Sequence, residues 1–109
     1  VADVESELLM QMNERIVKDF LDMLILMELK RGSLSYIELA SIFSKRFGEI
    51  VDFSLIDSTL DFLEKKELIT SRKAKGGKVY ALTMKGEEKV RAFLNSKDKI
   101  LGLLLNLFI

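Results

Sequence analysis

The stretch from Ser33 to Gly86 constrains this chain more than any other. Apolar residues recur there at helical spacing in two successive runs, with Gly48 and a short turn between them. Strand-like residues follow, interrupted by the basic segment RKAKGGK at 72–78, and LTMKG at 82–86 opens a further helix.

The boundaries are written in capping chemistry. Ser35 followed by Glu38 is a capping box, in which hydroxyl and carboxylate each satisfy a free backbone N–H of the first turn. It predicts a helix to about Arg46, with Leu39, Ala40, Phe43 and Phe47 facing inward. Gly48 ends it, and residues 49–53 form the turn. Ser54 followed by Asp57 repeats the capping signal and predicts another helix to about Lys66. Ile56, Leu60 and Leu63 form its core stripe. Ser54, Ser58, Asp61 and Lys65, with Asp57 beside them, lie about half a turn away and form its outer face. Leu68–Lys73 and Lys78–Leu82 read as strands, with Gly76 and Gly77 supplying a tight turn. Thr83 caps a helix that starts near Met84 and has the pattern to continue to the end.

Upstream, Leu8, Leu9, Met12, Ile16, Phe20, Leu24 and Met27 recur at spacings of three and four, so residues 3–31 are expected to be helical, with Gly32 as the stop. Asn13 and Glu14 either mark a break or lie within one helix. Met10, Met12, Met23 and Met27 are expected to serve as core filler, with a ligand-lined space as the alternative. The whole reads as a mostly α fold with a small β-hairpin (α+β), a winged helix-turn-helix with N- and C-terminal dimerisation helices. One domain is expected over 1–109: one or two helices in 1–31, the winged core at 33–86 and the dimerisation helix at 84–109.

Composition excludes several chemistries. The chain has no Cys and no His, hence no disulfide framework, no thiol nucleophile and neither the commonest metal ligand nor the commonest general base. The paired carboxylates, Glu87 with Glu88 and Asp57 with Asp61, have no second polar group suited to catalysis beside them. Gly76-Gly77 lacks the spacing of a phosphate-binding loop. No enzyme activity, cofactor or metal is expected. No signal-peptide pattern opens the chain and no run is long enough to span a bilayer, so a cytoplasmic, nucleoid-associated protein without a membrane partner is expected.

Net charge is zero, but its distribution is not even. Residues 1–68 carry 14 acids and 8 bases. Residues 69–91 carry 7 bases, namely Arg72, Lys73, Lys75, Lys78, Lys85, Lys89 and Arg91, against Glu87 and Glu88. A local positive field of this kind attracts phosphates even on a neutral protein. Arg72, Lys73, Lys75 and Lys78, on a turn made by Gly76 and Gly77, are therefore the candidate phosphate contacts; the alternative is a solvated hairpin whose lysines protect a strand edge. Tyr36 either donates to a phosphate or packs half-buried, and Lys45 and Arg46 are expected to be solvated. The last ten residues, ILGLLLNLFI, hold eight apolar side chains, more than one helical face requires. Packing against a second copy explains them best, with Ile100, Leu101, Leu104, Leu107 and Phe108 meeting Leu9, Met12 and Ile16 in the interface; packing on its own domain and insertion into a membrane surface are the alternatives.

The segments LILMELKRGSLSYIELASIFSKRFG at 24–48, STLDFLEKKELITSR at 58–72 and GGKVYALTMKGEEKV at 76–90 resemble the PadR family of transcription regulators, and MarR-type regulators more distantly. The resemblance implies a homodimer that binds operator DNA. Its recognition helix would begin with Ser54, Leu55, Asp57 and Ser58, and its wing would carry Arg72, Lys73, Lys75 and Lys78. Three features are this chain's own, one of them Phe62 where the family often has Arg. DFS at 52–54 stands where the family usually has Ser-Pro-Gly, and Asp57 and Asp61 place carboxylates on the groove-facing surface. A carboxylate there repels phosphates but accepts a hydrogen bond from cytosine N4. The expected function is a homodimeric transcription regulator binding double-stranded DNA. The alternatives are a protein-interaction winged helix and a sequence-nonspecific architectural DNA-binding protein.

Overall fold

The computed structural model describes residues 3–108, and Val1, Ala2 and Ile109 at the ends of the expected domain lie outside the described residues. Asp3 caps α1 (Val4–Asp19) by accepting from the Ser6 amide at 2.6 Å. A kink at Phe20 separates α1 from α2 (Leu21–Leu29). The Phe20 N–H still reaches the Ile16 carbonyl and the Phe20 carbonyl still accepts from Leu24, so the hydrogen-bond ladder crosses the joint. The break thus falls at Phe20 and not at Asn13–Glu14, because both polar residues lie on an exposed helix and need no change of direction. α2 must turn inward, since Leu21, Met23, Ile25, Leu26 and Leu29 are all buried. Met23 and Met27 join the core as expected, whereas Met10 is 71% exposed.

The capping box forms as the sequence predicts. Ser35 Oγ accepts from the Glu38 amide at 3.1 Å, and Glu38 Oε1 accepts from the Ser35 amide at 3.0 Å. α3 (Tyr36–Phe47) follows and buries Leu39, Ala40 and Phe43. Gly48, at φ 59°, ends it in a conformation that favours glycine. One 3₁₀ turn (Gly48–Ile50) leads to α4 (Phe53–Lys65), which buries Ile56, Leu60 and Leu63. Fully burying such a side chain contributes roughly 1.5–3 kcal/mol.

The sheet has three strands, one more than the sequence suggests. β1 (Leu34–Ser35) pairs with β3 (Gly77–Leu82), which pairs on its other side with β2 (Ile69–Ala74), giving the antiparallel order β1-β3-β2. β1 has only two residues, too few to show alternation. The hairpin turn is centred on Lys75 and Gly76, with Ala74 opposite Gly77; the positive φ, 115°, falls on Gly77 alone.

Thr83 caps α5 (Met84–Asn95), its Oγ1 accepting from the Gly86 amide at 3.0 Å. The expected single helix to the C-terminus is instead two. Ser96 leaves helical geometry at φ −109°, ψ 14°, and α6 (Lys97–Asn106) begins after it. α5 follows the core, where Val90 is buried, whereas α6 buries no residue and so need not keep that line. Among the described residues, no helix is long and apolar enough to cross a membrane.

Candidate nucleic-acid interface

α4 begins two residues earlier than its sequence signal suggests. Asp52 is the cap, its Oδ1 accepting from the Leu55 amide at 2.7 Å, while Ser54 sits inside the first turn. The Ser54–Asp57 capping pair is therefore not formed: a carboxylate two residues upstream occupies the position. The outer face is as expected, with Ser54, Asp57, Ser58, Asp61 and Lys65 exposed and Leu55 half-buried. The Leu55 carbonyl accepts from Ser58 Oγ at 3.1 Å and from Thr59 Oγ1 at 2.7 Å, so both hydroxyl protons serve the helix's own backbone.

Tyr36 ties the first turn of α3 to that of α4. Its hydroxyl donates to the Phe53 carbonyl at 3.1 Å, and the two rings lie 6.3 Å apart. Burial, reinforced by Asp57 and Asp52, pushes its phenol above the usual range. Phe53, whose ring is exposed beside Tyr36, was not among the residues the sequence singles out, since it precedes the expected cap and reads as turn.

The hairpin packs beside both helices, β3 against α3 and β2 against α4. Its register places Ser71 opposite Tyr80, Arg72 opposite Val79 and Lys73 opposite Lys78. Ser71 Oγ donates to Glu64 Oε2 at 3.1 Å, linking β2 to α4. Tyr80 is buried beneath this contact, and its phenol is pushed up first by burial and then by Glu64, Asp57 and Asp61. Arg72, Lys73, Lys75 and Lys78 are all exposed, as are Gly76 and Gly77. Among the described residues the ion pairs are Lys18–Glu14 and Arg46–Glu28, so none of the four hairpin bases is neutralised by a carboxylate. Lys73 and Lys78, directly opposed, repel each other, an arrangement that an anion between or above them relieves.

Two other bases are committed elsewhere. Arg46, expected to be solvated, binds Glu28 at 2.7 Å and lies over the Phe47 ring. Lys85 donates to the Lys66 carbonyl at the end of α4. At the two ends of the chain, Leu9, Ile16, Leu101, Leu104, Leu107 and Phe108 are exposed, and Met12 and Ile100 are partly so. The chain buries no residue of α6.

Two helices at a tight turn, the second bearing an exposed polar face, and an antiparallel hairpin with a cationic tip define a winged helix-turn-helix fold. No protein-family model matches the chain, and no curated protein matches it either. Solved structures do. PadR of Bacillus subtilis in complex with operator DNA superposes with a TM-score of 0.61 at 30% identity, covering 68% of this chain and 46% of that one. A PadR-like transcriptional regulator of Bacillus cereus gives a TM-score of 0.67 at 26% identity, covering 85% and 95%. A transcriptional regulator of Clostridium thermocellum shares the fold, with a TM-score of 0.69 at 19% identity over 87% and 95%. The chain has a PadR-like winged-helix fold. It spans less than half the length of the Bacillus subtilis PadR it resembles.

Proposed function

We propose that the chain is a DNA-binding transcription regulator that grips duplex DNA as a homodimer. The observation that carries this reading is the opposed pair Lys73 and Lys78, unneutralised at the tip of an exposed hairpin that also bears Arg72 and Lys75. Phosphate contacts of this kind supply most non-specific affinity and fix the register of a protein on the duplex. In this reading α4 enters the major groove, presenting Ser54, Leu55, Asp57, Ser58, Asp61 and Lys65, and Gly76 and Gly77 let the wing approach the backbone. α1 and α6 build the dimer, and the two recognition helices meet successive major grooves about 34 Å apart. The likeness to PadR with its operator supports the same assignment. The cytoplasm, beside the nucleoid, is where such a protein works.

A salt series on random and genomic duplexes tests the proposal. Four phosphate contacts per wing give log K a slope of about −3.6 against log salt for each wing. Absence of binding at low salt by a folded dimer overturns it. A second reading, a protein-interaction winged helix, is favoured by the exposed carboxylates Asp57 and Asp61 on α4. Changing Lys73, Lys75 and Lys78 together to Glu separates the two. Duplex binding is abolished under the first and unchanged under the second. A steep salt slope with no preference among sequences identifies the architectural variant.

A further inference from the structure

We infer that the N-terminal half of α4 reads pyrimidines on one DNA strand, with Phe53 packing on a thymine methyl and Asp57 accepting from a cytosine N4 amino group. This inference rests on the proposed binding of duplex DNA and assigns the bases that α4 selects. It starts from what α4 lacks. Recognition helices commonly carry Arg or Lys toward guanine and Asn or Gln toward adenine. Here the first twelve residues of the helix, Phe53 to Glu64, contain none of the four, and its bases lie at the far end, at Lys65 and beyond.

What α4 does present is an acceptor and an apolar ring. Phe53 is its first residue and is 65% exposed, more so than Phe62, the other aromatic residue of the helix, at 47%. Asp57 is one turn on, on the same flank, exposed and without a hydrogen-bond or ion-pair partner among the described residues. Glu64, further along that flank, is engaged by Ser71 and is not free in the same way. The N-terminal residues of a recognition helix are the ones that reach base edges. In the major groove, an ionised carboxylate has one complementary partner on cytosine, its N4 amino group, and an aromatic ring has one on thymine, the C5-methyl. Four residues of helix rise about 6 Å, close to two base-pair steps, so the two contacts fall within about two base pairs on one strand.

The backbone holds this geometry. The Tyr36 hydroxyl binds the Phe53 carbonyl and Asp52 caps the Leu55 amide, so the first turn of α4 is pinned at both ends. Phe53 is therefore presented from a fixed backbone.

The test selects duplexes from a random pool with the full chain, then measures binding to the enriched site with single-atom-group changes in the DNA. Enrichment of thymine and cytosine about two base pairs apart is expected. Replacing that thymine by uracil removes only the methyl and should weaken binding about fourfold. Replacing the cytosine pair by a thymine pair puts an acceptor before Asp57 and should cost about tenfold or more. Asp57→Asn should move the preference at that position from cytosine toward adenine. If Asp57→Asn instead raises affinity uniformly and leaves the enriched site unchanged, Asp57 is only a repulsive charge and the inference fails. Equal binding of the thymine and uracil duplexes by the unaltered protein rejects the role of Phe53 without any variant. Failure of the unaltered chain to bind any duplex at low salt overturns the DNA-binding reading itself, and this inference with it. Salt-dependent binding without sequence preference overturns this inference alone.

Discussion

Gly86, in the first turn of α5, lies against the carbonyl of Leu68, so close that an alanine Cβ at position 86 would collide with that oxygen and crowd Leu82. The carbonyl has no freedom to yield, because it accepts the Thr83 N–H at 3.1 Å. Thr83 Oγ1 also donates to the Glu67 carbonyl at 2.6 Å, and Lys85 reaches the Lys66 carbonyl. The start of α5 is thereby locked onto the end of α4, fixing α4 relative to the root of the hairpin. Gly86→Ala should cost about 1–3 kcal/mol in chemical denaturation. Gly102→Ala is the control: its Cβ meets nothing, and in mid-helix the change should be neutral or stabilise by up to ~1 kcal/mol.

The same junction contains the one described non-glycine residue with positive φ, Glu67 at 61°. The Leu68 N–H bonds the Leu63 carbonyl at 3.0 Å and the Glu67 N–H bonds the Glu64 carbonyl at 2.9 Å. This is a Schellman ending for α4, completed by the apolar contact of buried Leu63 and Leu68, with glutamate where glycine is usual. The left-handed conformation costs an L-residue about 1–2 kcal/mol, and a carboxylate at a helix C-terminus is unfavourable besides. Glu67→Gly should therefore raise stability by about 1 kcal/mol, net of the added freedom of the unfolded chain. A shift of the denaturation midpoint to higher denaturant, with unchanged slope, is the expected reading.

These two residues also show where sequence reasoning stops. The core stripes of α3 and α4, the Ser35–Glu38 box and the Thr83 cap are local patterns, and each forms as its spacing implies. The cationic wing was legible because charge clustering survives without knowledge of the fold. Glu67 carries no local signal of left-handed backbone, since its conformation is imposed by Leu68 seeking the core. The kinks at Phe20 and Ser96 depend on which faces find burial, and α6 finds none within the protomer. β1 is a strand only because β3 happens to pass beside Leu34 and Ser35. Phe53 was hidden by a misplaced cap. It becomes visible as a surface aromatic only once Asp52 is seen to start the helix.

The cap assignment is itself open to measurement. Asp52 accepts from the Leu55 amide, and its carboxylate also faces the positive end of the helix dipole. Asp52→Ala should cost about 1 kcal/mol, within the usual range for an N-cap. Ser54, already helical and with no bond of this kind, should tolerate Ala within about 0.5 kcal/mol. Equal losses at the two positions in thermal or denaturant unfolding would restore the Ser54 cap.

Tyr80 sets a limit on alkaline stability. The residue is 7% exposed, and burial first, then Glu64, Asp57 and Asp61, hold its phenol above the ordinary value of 10.0. A raised pKa means that the folded chain keeps its proton where the unfolded chain has lost it. The contribution is constant below about pH 10 and is lost as pH rises through the folded value. Tyr36 shifts in the same direction. The tyrosinate absorbance of the native protein should thus titrate above about pH 10. Tyr80→Phe should flatten the fall in stability above that pH and leave its slope below pH 9 unchanged.

The apolar ends of the chain should control assembly and not folding. Leu101, Leu103, Leu104, Leu105, Leu107 and Phe108 are between 43% and 78% exposed, and Leu8, Leu9 and Ile16 on α1 are also uncovered. So many exposed large apolar side chains are uncommon on a monomer, and in the proposed dimer they form the surface that associates. No core contact depends on α6, so Leu101→Lys with Leu104→Lys should leave helical content and the unfolding transition of the winged core in place. Sedimentation should show the unaltered chain as a dimer and the double variant as a monomer. If each wing contributes its own phosphate contacts, as proposed, the monomer should show about half the salt slope of the dimer on the same duplex. A double variant that sediments with the unaltered chain would show that these leucines are not what joins the two copies.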